Sequence, residues 1–256
     1  MTGFSADWLD LREPADRAAR DPGLLAAAAD WLDAGLAVDL GAGTGALARA
    51  WPDEQARWRL AERDPALLAE ARRRMPEAET VAADLAALDA LPLGEVRLAT
   101  CSALLDLVSA DWLEALAARL AAGGLGFYAA LSYDGRMAWE PPLAQDARVV
   151  AAFNADQRRD KGLGPALGSE AGPAAARIFA GQGFAVRMAP SPWRLPPGSA
   201  LEAAAAAGVA AATGEAAWGQ ARAAAAAACE VGHWDLLALP AAGPSTQSKT
   251  TSVSSA

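Results

Sequence analysis

The chain has 256 residues, with 22 Lys and Arg against 31 Asp and Glu, a net charge of −9, two cysteines and one histidine. This acidic balance argues against a DNA or large-RNA partner, and the few Cys and His exclude a disulfide framework and the common zinc sites, so no metal ligand set is predicted. The hydrophobic fraction of 53% includes 71 alanines, so the mean hydropathy of +0.11 reflects alanine rather than a membrane span.

The elements alternate along the chain. Pro14 to Ala34 reads as a helix with Pro14 in its first turn and Leu24, Leu25, Ala28, Trp31 and Leu32 at helical spacing. Leu36 to Leu40 is a short apolar run before Gly41, the pattern of a buried parallel strand. A helix starts at Ala46, and Arg57 to Ala61 is a second strand. Asp64-Pro65 is a cap and first turn for a helix through Arg74. Thr80 to Ala83 and Val96 to Ser102 are further strands, followed by a helix over 110–121 and a fifth strand, Leu125 to Leu131. Residues 133–171 break this rhythm, and Pro173 to Ala180 resumes as helix. Phe184 to Met188 and His233 to Leu239 read as the last two strands, with Ala-rich helices over 201–212 and 215–229 between them. The stretch 201–229 is interrupted by Glu202, Gly208, Gly214, Glu215, Gly219 and Arg222, and does not read as a membrane span. Residues 244–256 are polar and of low complexity and are predicted to be a disordered tail. No basic, Leu-rich leader follows Met1, so the predicted compartment is the cytoplasm. The whole predicts one α/β domain over 1–243: a doubly wound, mostly parallel sheet with N-terminal cap helices over 1–34, a lid-like insertion over 133–171 and extra C-terminal helices.

The strongest motif is Val38-Asp39-Leu40-Gly41-Ala42-Gly43-Thr44-Gly45 between a strand and a helix. Glycines let the backbone turn sharply and approach a ligand, and the helix N-terminus behind them offers N–H groups. As glycines alone, the loop also satisfies a looser nicotinamide-dinucleotide fingerprint, Gly41-x-Gly43-x-x-Ala46, with Glu62 as the acid about 20 residues on. One carboxylate near the end of each of the first three strands (Asp39, Glu62 and Asp84) instead suits a ligand with an amino-acid part, a ribose and an adenine.

This set resembles the class I S-adenosylmethionine-dependent methyltransferases over roughly residues 35–131. The resemblance implies S-adenosylmethionine as methyl donor and S-adenosylhomocysteine as product. It also implies a seven-stranded sheet of order 3-2-1-4-5-7-6 with the seventh strand antiparallel. It places Asp39, Gly41, Ala42, Gly43 and Gly45 at the methionine part, Glu62 with Arg63 at the ribose, Asp84 with Leu85 at the adenine, and Ser102 after strand four. The expected acceptor is a small molecule methylated on oxygen or nitrogen, and the sequence leaves the oligomeric state open. Asp106 and Tyr133, after strands four and five, are the candidate catalytic groups for orienting the acceptor or removing its proton. Trp8 and Arg12, with Phe4, are acceptor candidates from the N-terminal segment, and Asn154, Arg158 and Lys161 from a polar 153–168 loop. Trp139 and Trp193 read mainly as packing residues, and His233 as a structural histidine. Two other readings stand beside this one: an NAD(P)-binding oxidoreductase and a non-catalytic methyltransferase-like partner subunit.

Overall fold

The computed structural model describes residues 5–241, so Phe4 and the predicted tail 244–256 lie outside the described residues. The N-terminal region is two helices, α1 (Ala6–Ala19) and α2 (Pro22–Leu32), rather than one. Ser5 caps α1 by accepting from Trp8 N, and Asp21 caps α2 by accepting from Leu24 N at 2.7 Å. Pro22 fixes the break: a proline suits a first turn but disfavours helix in the residue before it. Pro14 therefore lies inside α1 and not at its start.

Next come β1 (Leu36–Leu40), the one-turn α3 (Ala46–Arg49), β2 (Arg57–Glu62), α4 (Pro65–Arg74), β3 (Glu79–Ala82), β4 (Val96–Ser102) and α5 (Ala110–Gly123). Asp64 and Ser109 accept from the first backbone N–H groups of α4 and α5, and Gly124 ends α5 in the left-handed conformation. The remaining elements are β5 (Gly126–Glu140), α6 (Asp146–Gln157), α7 (Ala171–Gly181), β6 (Phe184–Pro190), β7 (Trp193–Leu195), α8 (Ala200–Thr213), α9 (Ala216–Ala225) and β8 (Ala228–Pro240). Among the described residues the sheet has eight strands, in the order β3-β2-β1-β4-β5-β8-β6, with β7 paired to β8 off this path. Strands β1 to β5 run parallel and β8 is antiparallel to both β5 and β6. The main order is the one the resemblance implied; the short β7 is an addition to the expected seven strands.

The larger difference lies after residue 131. Strand β5 does not stop there but runs to Glu140, and β8 starts at Ala228 rather than His233. Their extra lengths pair, with Met137 opposite Val231 and Trp139 opposite Cys229, and form a ribbon projecting beyond the parallel sheet. The predicted lid segment 133–171 is thus a strand, a helix and a turn. Residues 153–157, expected in a loop, lie on α6. The segment Ser-Tyr-Asp-Gly reads as a turn in sequence, but Gly135 (φ 90°) supplies only a bulge, where the pairing shifts between Tyr133 and Met137.

Two apolar layers flank the sheet, one around Leu113, Leu116, Phe127 and Phe179, the other around Leu32, Leu47, Leu60 and Tyr128. A third core lies against the ribbon, where Trp139, Val149, Trp193, Leu201, Val209 and Trp218 pack together. The buried Arg222 of α9 pairs with Asp146 of α6 and lies 5.1 Å from the centre of the Trp139 ring. No described helix is long and apolar enough to cross a membrane, and among the described residues no group of three or more His, Cys, Asp or Glu could hold a metal ion.

The ribbon is anchored at its base by Asp235, which is fully buried. Its carboxylate accepts from Leu131 N at 2.8 Å, Asp21 N at 2.9 Å and the Tyr128 hydroxyl at 3.1 Å. Leu131 has φ 58°, a left-handed backbone that a branched residue adopts only when held. Asp235→Ala removes the acceptor from all three donors and is expected to lower unfolding stability by about 3 kcal/mol or more. Urea unfolding of the two proteins checks this; a loss under about 1 kcal/mol would show that the three donors find other partners.

Candidate active site

The glycine loop leaves β1 with Gly41, Gly43 and Gly45 all in the left-handed region (φ 71°, 55° and 83°), where only glycine sits without strain. Its amides are already paired. Gly41 N and Ala42 N donate to Ala61 O, Gly45 N donates to Ala42 O, and Gly43 N donates to the Glu62 carboxylate at 2.9 Å. The other Glu62 oxygen accepts from Arg63 N and Asp64 N, both at 2.8 Å. Glu62 therefore joins the loop to the end of β2. The helix behind the loop, α3, has only four residues, so the expected free N–H groups and helix dipole at this point are largely missing. This corrects the physical role given to the loop: its amides are spent on its own shape, and four of them are not available to cradle a pyrophosphate.

What surrounds the loop is acidic. Asp39 is buried, accepts from the Thr100 hydroxyl at 2.9 Å, and burial pushes its pKa up to about 7. Asp84 is exposed after β3, with Arg63 Nη1 3.9 Å away. Leu85 lies near Gly41: a side chain on that glycine would come within 3.6 Å of it. Ser102 ends β4, where Arg20 donates to its hydroxyl at 3.4 Å. Three carboxylates around a loop with spent amides suit a ligand that carries positive charge and hydroxyl groups better than a dianionic one. The residues present thus fit a sulfonium donor with an ammonium and a ribose.

Helix α1 covers this site. A Cβ on Gly43 would lie 2.9 Å from Leu9 Cδ1. Glu13 pairs with Arg49 of α3, and Asp10 accepts from Arg74 of α4 at 2.9 Å. The same helix turns Trp8 and Arg12 toward a second space. This cavity, of about 640 Å³, opens between α1, the ribbon, α6 and α8.

The cavity gathers Trp8, Arg12, Asp106, Tyr133 and Lys161 of the predicted residues. Asp106 sits in a buried 3-10 turn (Leu105–Leu107) after β4; its Oδ1 has no hydrogen-bond partner, and burial raises its pKa. Arg12 is held by Asp16 through contacts of 2.9 and 3.2 Å, and Asp16 also accepts from Trp193 Nε1 at 2.9 Å. Lys161 donates to Gln157 at 2.9 Å. Tyr133 presents its ring, but its hydroxyl donates to Asn154 Oδ1 at 2.8 Å, and burial raises its pKa further from the neutral range.

Two expected acceptor residues stand elsewhere. Asn154 spends its amide on Tyr133 and on Gly135 O at 2.9 Å, so it positions Tyr133 behind the cavity wall. Arg158 is exposed past the end of α6, against Gly168. Trp139 packs on Trp218 away from the cavity, whereas Trp193 is buried in its wall. His233, expected as a structural histidine, is part of the same wall. It lies opposite Tyr133 in the strand register, lines the cavity, and its Nδ1 has no partner. Burial pulls its pKa down to about 3, so the ring stays neutral. The signal for it was the pairing of two strands longer than their apolar runs.

Asp39 gives a pH test. Its folded pKa lies above its unfolded value of about 3.9, so the folded chain binds more protons between those values and stability falls as pH rises through about 7. Asp39→Asn removes that loss. Relative to the wild type, it is expected to gain about 2–4 kcal/mol of unfolding stability between pH 4 and pH 8. Urea titrations at the two pH values measure the difference, and an unchanged difference would contradict the burial of a titrating carboxyl.

Residues 37–124 match the family model described as a methyltransferase domain. Among solved structures, the chain is similar to one described by conversion of a disulfide bond into a thioacetal group during echinomycin biosynthesis, with 17% identity, a TM-score of 0.53, and coverage of 93% of this chain and 94% of that one. It is also similar to the cyclopropane synthase MmaA2 from Mycobacterium tuberculosis, with 12% identity, a TM-score of 0.52, and coverage of 92% and 94%. No curated protein sequence matches the chain. Residues 37–124 thus match a methyltransferase domain, and the sheet order and the two solved structures give the whole chain a Rossmann-like methyltransferase fold.

Proposed function

We propose that this protein transfers a methyl group from S-adenosylmethionine to an oxygen or nitrogen of a small molecule held in the cavity beside Asp106. The observation that carries the acceptor side is Asp106 itself, buried in the cavity wall with an unpartnered carboxylate oxygen immediately after β4. A buried polar atom without a partner costs free energy, so a fold that keeps one invites a ligand to complete it.

When bound, the donor supplies an electrophilic methyl on a sulfonium; the acceptor's lone pair takes the methyl carbon and the C–S electron pair returns to sulfur. Everything else falls to the chain. Asp39, the glycine loop, Glu62 with Arg63, Asp84 with Leu85, and Ser102 are assigned to hold the donor. Acidic side chains favour its cationic form electrostatically. Asp106 accepts the hydrogen bond of the acceptor O–H or N–H and orients its lone pair. Burial raises the proton affinity of Asp106, which suits it to receive that proton as the new bond forms. Arg12 and Lys161 pull the same pKa the other way. Tyr133, fixed by Asn154, contributes ring surface and position rather than a mobile proton. The single domain over 1–243, with α1 and α2 as its cap, is the unit we assign to this activity.

Calorimetric titration with S-adenosylhomocysteine is expected to give saturable binding, weakened about 30-fold or more by Glu62→Ala through loss of a charged hydrogen-bond acceptor and of the loop's tie to β2. No heat with the wild type would remove the donor assignment. Methyl-labelled S-adenosylmethionine incubated with a panel of phenols and amines is then expected to label product, with Asp106→Asn lowering kcat by about 100-fold while leaving S-adenosylhomocysteine affinity unchanged. Binding of the product without any labelling across the panel and cell extract would instead favour the partner-subunit reading.

A further inference from the structure

One wall of the cavity is α8, and its composition has no local explanation. Glycine inside a helix costs about 1 kcal/mol against alanine, yet Gly208 interrupts an otherwise alanine-rich helix. Nothing packs on it: a Cβ built there meets no atom within 4 Å. Ala204, Ala205, Gly208 and Ala212 face the cavity on successive turns, so this wall is smooth and shallow. Trp8, Phe153 and Trp193 also line the space and supply aromatic surface.

The polar groups are few and mostly satisfied. Arg12 is neutralised by Asp16, and Lys161 is engaged by Gln157 with Asp156 also in the lining. The two lining cations, Arg12 and Lys161, are matched in number by the lining carboxylates Asp106 and Asp156, with Asp16 already on Arg12, so the space holds no excess positive charge for a phosphate or carboxylate. Three lining groups are unsatisfied, Trp8 Nε1, Asp106 Oδ1 and His233 Nδ1, the last two on residues only 8% and 5% exposed. A volume of about 640 Å³ falls in the range of pockets that enclose whole ring systems.

Building on the methyl-transfer reading, we propose that the acceptor is a flat, uncharged ring compound with a hydroxyl or amino group, lying along the small-residue face of α8, and that Gly208 sets the size of ring system admitted. Its polar group meets Asp106 and His233. Its apolar body covers α8. Enlarging position 208 fills the cavity without disturbing a packed contact of the fold.

The test follows quenching of tryptophan fluorescence, since Trp8 and Trp193 line the cavity, during titration with 2-naphthol and with the anionic 6-hydroxy-2-naphthoate. Each titration is run with and without S-adenosylhomocysteine. 2-Naphthol is expected to bind about tenfold or more tightly than the naphthoate, and Gly208→Leu is expected to weaken it by about tenfold or more. Circular dichroism and an unchanged S-adenosylhomocysteine affinity establish that Gly208→Leu is folded; if it is not, Gly208→Val and Ala212→Leu carry the same expectation. Failure of 2-naphthol to bind, equal binding of the naphthoate, or indifference to the folded substitutions overturns the proposal. Loss of S-adenosylhomocysteine binding alone would instead refute the donor reading, while the naphthol titration without it still decides the ring.

Discussion

The buried carboxylate of Asp235 is the constraint on which the acceptor side depends. It holds the first residue of the α2 cap, the hydroxyl of Tyr128 in the sheet and the left-handed Leu131 amide together. Burial raises its pKa, so desolvation opposes the charge while the donors around it favour it. The register between β5 and β8 shifts between Ala129 and Ser132, next to this point. Beyond it the two strands leave the parallel sheet as a ribbon that carries Tyr133, Met137, Val231 and His233 into the cavity wall. The anchor is therefore a fold feature with a functional consequence: it determines where the second cavity begins.

Helix α1 links that cavity to the glycine-loop site. Leu9 covers Gly43, while Trp8 and Arg12 line the cavity. Its ties to the Rossmann-like half, Glu13 with Arg49 and Asp10 with Arg74, are partly exposed pairs of the kind that contribute little stability individually. On the ribbon side its buried Arg12–Asp16 pair grips Trp193 of β7: Asp16 accepts from Trp193 Nε1 at 2.9 Å and Arg12 lies 5.0 Å from the centre of its ring. One helix thus grips the two spaces unequally, more firmly on the cavity side.

The parallel half was legible because each strand is short, apolar and bounded by glycine or by a cap such as Asp64-Pro65, and because the glycine loop and its acids lie close in sequence. The ribbon was not. Tyr133, Met137 and Trp139 alternate as a strand does, but Asp134 and Gly135 between them mimic a turn, and only the partner strand about 100 residues away decides the matter. The same distance concealed that His233 lies across from Tyr133 in the cavity wall. The sequence places Asn154 in an exposed loop and so among substrate contacts; on α6 its amide faces Tyr133 instead. The free N–H groups expected of the glycine loop were a property of longer helices than the one-turn α3.

Hydrogen exchange with and without S-adenosylhomocysteine tests most directly whether donor and acceptor sites meet beneath α1. The account predicts added protection in three places together: the glycine loop over 41–45, the β2 end over 62–64, and α1 over 6–19, with little change in α9. Protection confined to other segments, or none in α1 and the glycine loop at saturating ligand, would contradict it.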